Sequence, residues 1–193
     1  MQFPNEYVQP STCLITSKTF TELTSYGFND EVAKRGNPHK WLIDFATRKL
    51  THKSSRSLQA FLDSLDGRYG TFTLPSPLPF LGDTTSFAVS ASASAGVNQI
   101  SVKNLPVSKA GALVAGDFIK FANHDKVYKI VNDAATNASG ITTMVFYPRL
   151  QANVFANSVI SEAVFTLRLT KDTTGLNLTG GTHNIIKISA IEV

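Results

Sequence analysis

The sequence predicts a mainly β protein: a β-sandwich module with one short helix, and a small β-barrel inserted into it. Three observations predict this. Val, Ile, Thr and Phe recur in alternation, with 13 Phe in 193 residues, a composition that suits strands. One stretch alone carries apolar residues at helical spacing. From residue 84 to residue 162 the chain changes to short strands with turn residues roughly every 8–12 positions, the rhythm of a small barrel or sandwich.

The elements follow in order. Residues 1–36 are mixed and turn-rich, with Pro4, Pro10, Gly27 and Gly36; a short strand is expected near Thr12–Thr16. Lys40–Leu50 is the first clear strand, with Trp41, Ile43 and Phe45 on one face and Leu42, Asp44 and Ala46 on the other. A helix follows. Ser54 or Ser55 caps it, Leu58, Phe61, Leu62 and Leu65 form its apolar stripe, and Gly67 stops it. Tyr69–Pro75 is a strand that ends in Pro75, Pro77 and Pro79, because proline cannot continue a ladder. The domain boundary falls here.

The inserted barrel, residues 84–162, is expected to use Phe87–Ser90, Gln99–Val102, Asp117–Phe121, Val127–Asn132, Thr142–Tyr147 and Ser158–Ile160. Ala115-Gly-Asp117 is a turn. Asn123-His-Asp125 makes a hairpin, and Gly140 supplies positive φ in the loop from Asn132. These strands fit an OB-like barrel. Long alternating strands then return at Ala163–Leu169 and Ile185–Val193, with Gly180-Gly181 between them. The sandwich module is therefore residues 1–80 and 163–193.

Composition bounds the function. Hydrophobic residues are 42% and charged residues 17%, enough for packed cores and against global disorder. The low charge suggests that part of the surface is covered by subunit packing. Net charge is +4, but the basic residues are scattered without a cluster of five or more, so nucleic-acid binding is disfavoured. Cys13 is the one cysteine; it forms no intramolecular disulfide and reads as a small buried hydrophobe. The N-terminus lacks the regions of a signal peptide, and no apolar run is long enough to span a bilayer. The expectation is a protein made in a cytoplasm, with no membrane insertion.

Catalytic patterns are missing. His39, His52, His124 and His183 lie at no metal-ligand spacing. Asp63 and Asp66 read as surface charges near the helix end. Gly180-Gly181 has no following helix and Lys, and no Gly-x-Ser-x-Gly elbow occurs. No catalytic, cofactor-binding or metal residue is assigned. Phe118, Phe121, Tyr128, Phe146 and Tyr147 lie on barrel strands, and strand alternation sends about half such residues into the core. Tyr128, Tyr147 and His124 remain as candidate surface-binding residues of the barrel.

Two segments carry a family resemblance. Leu58-Gln-Ala-Phe-Leu-Asp-Ser-Leu-Asp-Gly-Arg-Tyr-Gly-Thr-Phe-Thr-Leu-Pro-Ser-Pro77 is similar to the helix–strand unit of many phage tail-tip proteins. Ala115–Asp133, then Tyr147-Pro-Arg-Leu150 and Val164-Phe-Thr-Leu-Arg-Leu169, resembles in order and spacing the distal tail protein of long-tailed siphophages, of the kind with an inserted OB-fold domain. The resemblance covers residues 40–170; loop 132–141 and the termini depart from it. It implies a non-enzymatic, cofactor-free component of the virion tail tip, synthesised in the host bacterial cytoplasm. It implies a homo-hexameric ring built by the sandwich, joining the tail tube protein to the baseplate hub, with genomic DNA only as passing cargo. The barrel is then a platform for collar or fibre proteins. The alternative reading is a carbohydrate-binding module contacting the host surface.

Overall fold

A computed structural model of the chain describes residues 1–19, 24–26, 29–31, 39–172 and 184–193. The chain divides into two compact units, Met1–Phe72 with Leu167–Val193, and Thr73–Thr166. Along the chain run β1 (Leu14–Thr19), β2 (Thr24–Tyr26), β3 (Asn29–Glu31), β4 (His39–Ala46), α1 (His52–Asp63), β5 (Phe72–Pro75), β6 (Ser86–Val89), β7 (Gln99–Lys103), β8 (Phe118–Phe121), β9 (Val127–Ile130), β10 (Thr142–Tyr147), β11 (Val159–Glu162), β12 (Val164–Leu169) and β13 (Lys187–Glu192). The protein is mainly β, with a closed barrel and a separate sheet. Gly180, Gly181 and His183 lie outside the described residues.

The separate sheet has five strands in the order β1-β4-β13-β12-β5, and β2 pairs with β3 in a two-stranded ribbon. β4 alternates as its sequence predicts: His39, Trp41, Ile43 and Phe45 are buried, while Lys40, Leu42, Asp44 and Ala46 are half-buried. It stops at Ala46 rather than Leu50. The backbone beyond it has other partners, since Thr47 N–H donates to Ile186 O at 2.9 Å and Arg48 N–H to Tyr7 O at 2.8 Å. Phe3 packs edge-on to Phe45 at 5.2 Å and to Phe61 of α1 at 5.7 Å.

Helix α1 begins one turn earlier than expected. Thr51, in extended backbone, is the N-cap, and its Oγ1 accepts the Ser54 N–H at 3.3 Å. Ser55 is buried within the first turns, where its Oγ donates to Thr51 O at 2.9 Å and accepts from Asn184 Nδ2 at 3.3 Å. Leu58 and Leu62 are buried on one stripe, with Leu65 buried just past the end. The stop is shared: Asp66 has φ 52° and Gly67 has φ 63°.

The second unit closes as a barrel in the order β10-β7-β6-β11-β8-β9. β8 and β9 form the expected hairpin, and β11 pairs antiparallel with both β6 and β8 through Ile160, which sits opposite Phe87 and Phe121. The core includes Phe87, Val102, Ile119, Phe121, Tyr128, Met144, Phe146 and Ile160. Phe118 points the other way from Ile119 and is buried too. It packs edge-on against Phe165 at 5.6 Å, and Lys129 Nζ lies 5.8 Å from its ring centre.

Two backbone constraints hold the barrel's loops. Asp117, only 3% exposed, accepts the Leu81 and Gly82 N–H groups at 2.9 Å each, one on each carboxylate oxygen. A buried carboxylate needs such partners to offset its lost hydration. Gly140 has φ 67°, and a Cβ there would lie 2.3 Å from Leu105 O. Asp117→Ala is expected to destabilise the protein by about 2–3 kcal/mol, the scale of charge-assisted hydrogen bonds. An urea midpoint shift at unchanged m value measures this. Gly140→Ala is expected to cost about 1–3 kcal/mol in the same assay, because both the φ and a fixed carbonyl oppose it.

Candidate functional site at one end of the barrel

Three loops meet at one end of the barrel: hairpin 122–126, loop 90–98 and loop 148–158. Main-chain bonds tie them together. Ala93 and Val154 exchange N–H···O bonds at 2.9 Å each, Gly96 N–H donates to Leu150 O at 2.7 Å, and Leu150 N–H donates to Val97 O at 2.7 Å. Side chains add to this. Asn153 Oδ1 accepts from Ala95 N at 2.8 Å, Asn123 Nδ2 donates to Asn153 O at 2.7 Å, and Arg149 Nη1 donates to Gly96 O at 2.9 Å. The small residues of Ser90–Gly96 let the two loops lie against each other. Phe155 stands 67% exposed at the tip of loop 148–158. These bonds tie the loops to one another at the barrel end.

Tyr128 is not on that surface. It is fully buried in the barrel core and stacks edge-on to Phe121 at 5.2 Å and Phe146 at 5.3 Å. Its hydroxyl accepts the Gln151 N–H at 3.0 Å and meets His124 Nε2 at 2.8 Å. The expectation of Tyr128 as a surface-binding residue is therefore corrected. Its ring belongs to the inward row of β9, and its polar tip finds partners inside, as a buried phenol must. Tyr147 is half-buried on the outer wall, opposite Lys129 in register. His124 is half-buried in the hairpin, stacked on Phe121 at 5.4 Å. The structure thus joins His124 to Tyr128 and places Tyr147 on a different face.

Sequence reasoning missed Gln151, Asn153 and Phe155. The run Gln151-Ala-Asn-Val-Phe-Ala-Asn157 reads as a plain polar loop. Its usable signal is Asn157, which takes φ 67°, as Asn does more readily than other non-glycine residues.

The site offers little covalent chemistry. Among the described residues no group of three or more His, Cys, Asp or Glu could hold a metal ion. In the other unit, burial first and Asp44 second push the Cys13 thiol up to about 11. Such a thiol is almost wholly protonated at neutral pH and a poor nucleophile. His124 is held below its ordinary range, mainly by burial and then by Lys120, with Asp125 opposing. Neutral His124 accepts the Tyr128 O–H on Nε2 and donates from Nδ1 toward Asn123 Oδ1, 3.1 Å away.

A closed barrel whose end loops are locked by their own backbone defines a structural module that presents a fixed surface. Residues 78–162 match the family model described as distal tail protein pb9, B domain. Over those residues the barrel is similar to a domain of a phage distal tail protein, which supports a structural protein of a phage tail. No curated protein matches the chain. No described helix is long and apolar enough to cross a membrane.

The lowered His124 pKa fixes a pH effect. The unfolded chain protonates its imidazole first as pH falls, so stability declines below about pH 6.5 until the folded imidazole also titrates. Between about pH 7.5 and pH 5.5, the urea midpoint of the native protein is expected to fall more than that of His124→Gln. Equal falls in the two proteins would contradict this reading of His124.

Proposed function

We propose that the chain is the distal tail protein of a siphophage: a homo-hexameric ring that joins the tail tube protein to the baseplate hub and passes genomic DNA through its opening. In this reading the sandwich module of residues 1–80 and 163–193 builds the ring. The barrel of residues 84–162, read as OB-like, is the attachment platform for collar or fibre proteins. The observation that carries the proposal is the family match over residues 78–162. Two features support it. The charged fraction is 17%, in keeping with a subunit much of whose surface is covered. The five-stranded sheet also ends in β1, whose residues Leu14 and Thr16–Thr19 are exposed, the kind of edge that neighbouring copies cover.

The alternative, a barrel that binds host saccharide, loses Tyr128 as a stacking platform because that ring is inside the core.

Light scattering with negative-stain microscopy of the purified protein tests the proposal. Closed rings with a central opening are the expected result. A strict monomer, at high concentration and with tail tube and hub proteins added, would overturn it.

A further inference from the structure

Asn123 and Tyr128 each reach from the β8–β9 hairpin to loop 148–158, and His124 stands between them, bonded to both. Asn123 Nδ2 donates to Asn153 O at 2.7 Å, and the Tyr128 hydroxyl accepts the Gln151 N–H at 3.0 Å. His124 meets Asn123 Oδ1 at 3.1 Å through Nδ1 and the Tyr128 hydroxyl at 2.8 Å through Nε2. The direction of each bond in this chain is fixed from one end. A backbone carbonyl only accepts, so the Asn123 amide nitrogen faces Asn153 and its oxygen faces His124. That oxygen also only accepts, so Nδ1 carries the proton of the neutral ring. Nε2 is then a bare lone pair, and the Tyr128 phenol donates to it while accepting from Gln151.

Protonation reverses the middle of the chain. Both ring nitrogens of the imidazolium are donors. The phenol must then withdraw its hydrogen from Nε2, and Nε2–H and the Gln151 N–H compete for one oxygen. His124 is half-buried, so a proton from solvent can reach it. The charges around it come from several elements. Lys120 of β8 and Asp125 of the hairpin act on the ring in opposite senses, burial and Lys120 keeping it neutral, and Lys120 Nζ pairs with Asp125 at 2.7 Å. Lys126 follows in the hairpin and is buried, while Lys129 lies exposed on the outer row of β9. Loop 148–158 brings Arg149, whose Nη1 is given to Gly96 O, and loop 90–98 holds no titratable residue.

We propose that His124 is a proton-operated latch of the barrel end. Its neutral Nδ1–H form holds loop 148–158 to the hairpin through Tyr128 and Gln151, and its protonation lets that loop, with the exposed ring of Phe155, come away from the hairpin. The main-chain bonds of loop 148–158 to loop 90–98 involve no titrating group, so the two loops stay joined. The device needs neither a ring nor a partner, and so goes beyond the tail reading. An imidazole freed by opening takes up a proton in the ordinary histidine range, whereas the closed one resists it, so acid favours the open form. Between about pH 7.5 and pH 5.5 the opening equilibrium rises by at most about tenfold.

NMR of the full chain tests this, through the imidazole nitrogen shifts of His124 and the exchange of backbone amides. At about pH 7.5 the shifts should report a protonated Nδ1 and a bare Nε2. Gln151 should be less protected than Phe146, whose N–H bonds Asn98 O within the barrel wall at 2.9 Å, because it exchanges by local opening. Its protection factor should fall several-fold, up to about tenfold, at about pH 5.5, and stay constant in His124→Gln. Tyr128→Phe keeps the core ring and removes the hydroxyl, so Gln151 should be poorly protected at both pH values. A neutral ring with its proton on Nε2, a Gln151 amide as protected as Phe146, or an equal fall in native protein and His124→Gln would overturn the proposal. So would native-like protection of Gln151 in Tyr128→Phe, or native protection that does not change with pH.

Discussion

The closure of the barrel through β11 is the constraint on which the second unit depends. This strand of four residues is bonded on both sides, to β6 and to β8. Without it both neighbours would be open edges, ready to pair with other chains. Ile160 brings the two seams together over the core, opposite Phe87 and Phe121. Loop 148–158 runs directly into β11, so the same closure that seals the barrel fixes the end surface and the exposed ring of Phe155. Asp117 acts in the same sense at the β5–β6 connection, where its carboxylate holds Leu81 and Gly82 against the barrel.

Much of this organisation was legible in the chain. Period-two alternation gave β4, β10 and β12, the i, i+3, i+4 stripe gave α1, and turn residues at 123–125 and 140 gave their loops. The boundaries moved by one to four residues because local hydrogen bonds decided them. Thr51 took the cap from Ser54 and Ser55 because it is the residue whose backbone is still extended where the helix begins. Tyr128 could have been placed inside from Val127-Tyr-Lys-Ile130 alone, since the charge of Lys129 marks the outer row and leaves Tyr128 with Ile130 in the inner one. The bonds from Asp117 to Leu81 and from Gln151 to Tyr128 were not legible, because they join residues 36 and 23 positions apart. No periodicity encodes a contact of that kind.

Several polar contacts hold neighbouring segments in position. His124 and Tyr128 share a bond that fixes a hairpin, Asn123 and Asn153 lace loops together, and Arg68 grips Asp172 with its guanidinium at 2.9–3.0 Å. Of these only Tyr128 is fully buried, and a buried polar group that is satisfied specifies one arrangement more than it adds net stability. A tail component must present the same surface in every copy, and a locked barrel end meets that demand.

Virions labelled with antibody against residues 73–166 and viewed by electron microscopy test the central claim most directly. The account predicts label confined to the distal end of the tail. Label on the capsid, along the whole tail, or absent from purified particles would contradict it.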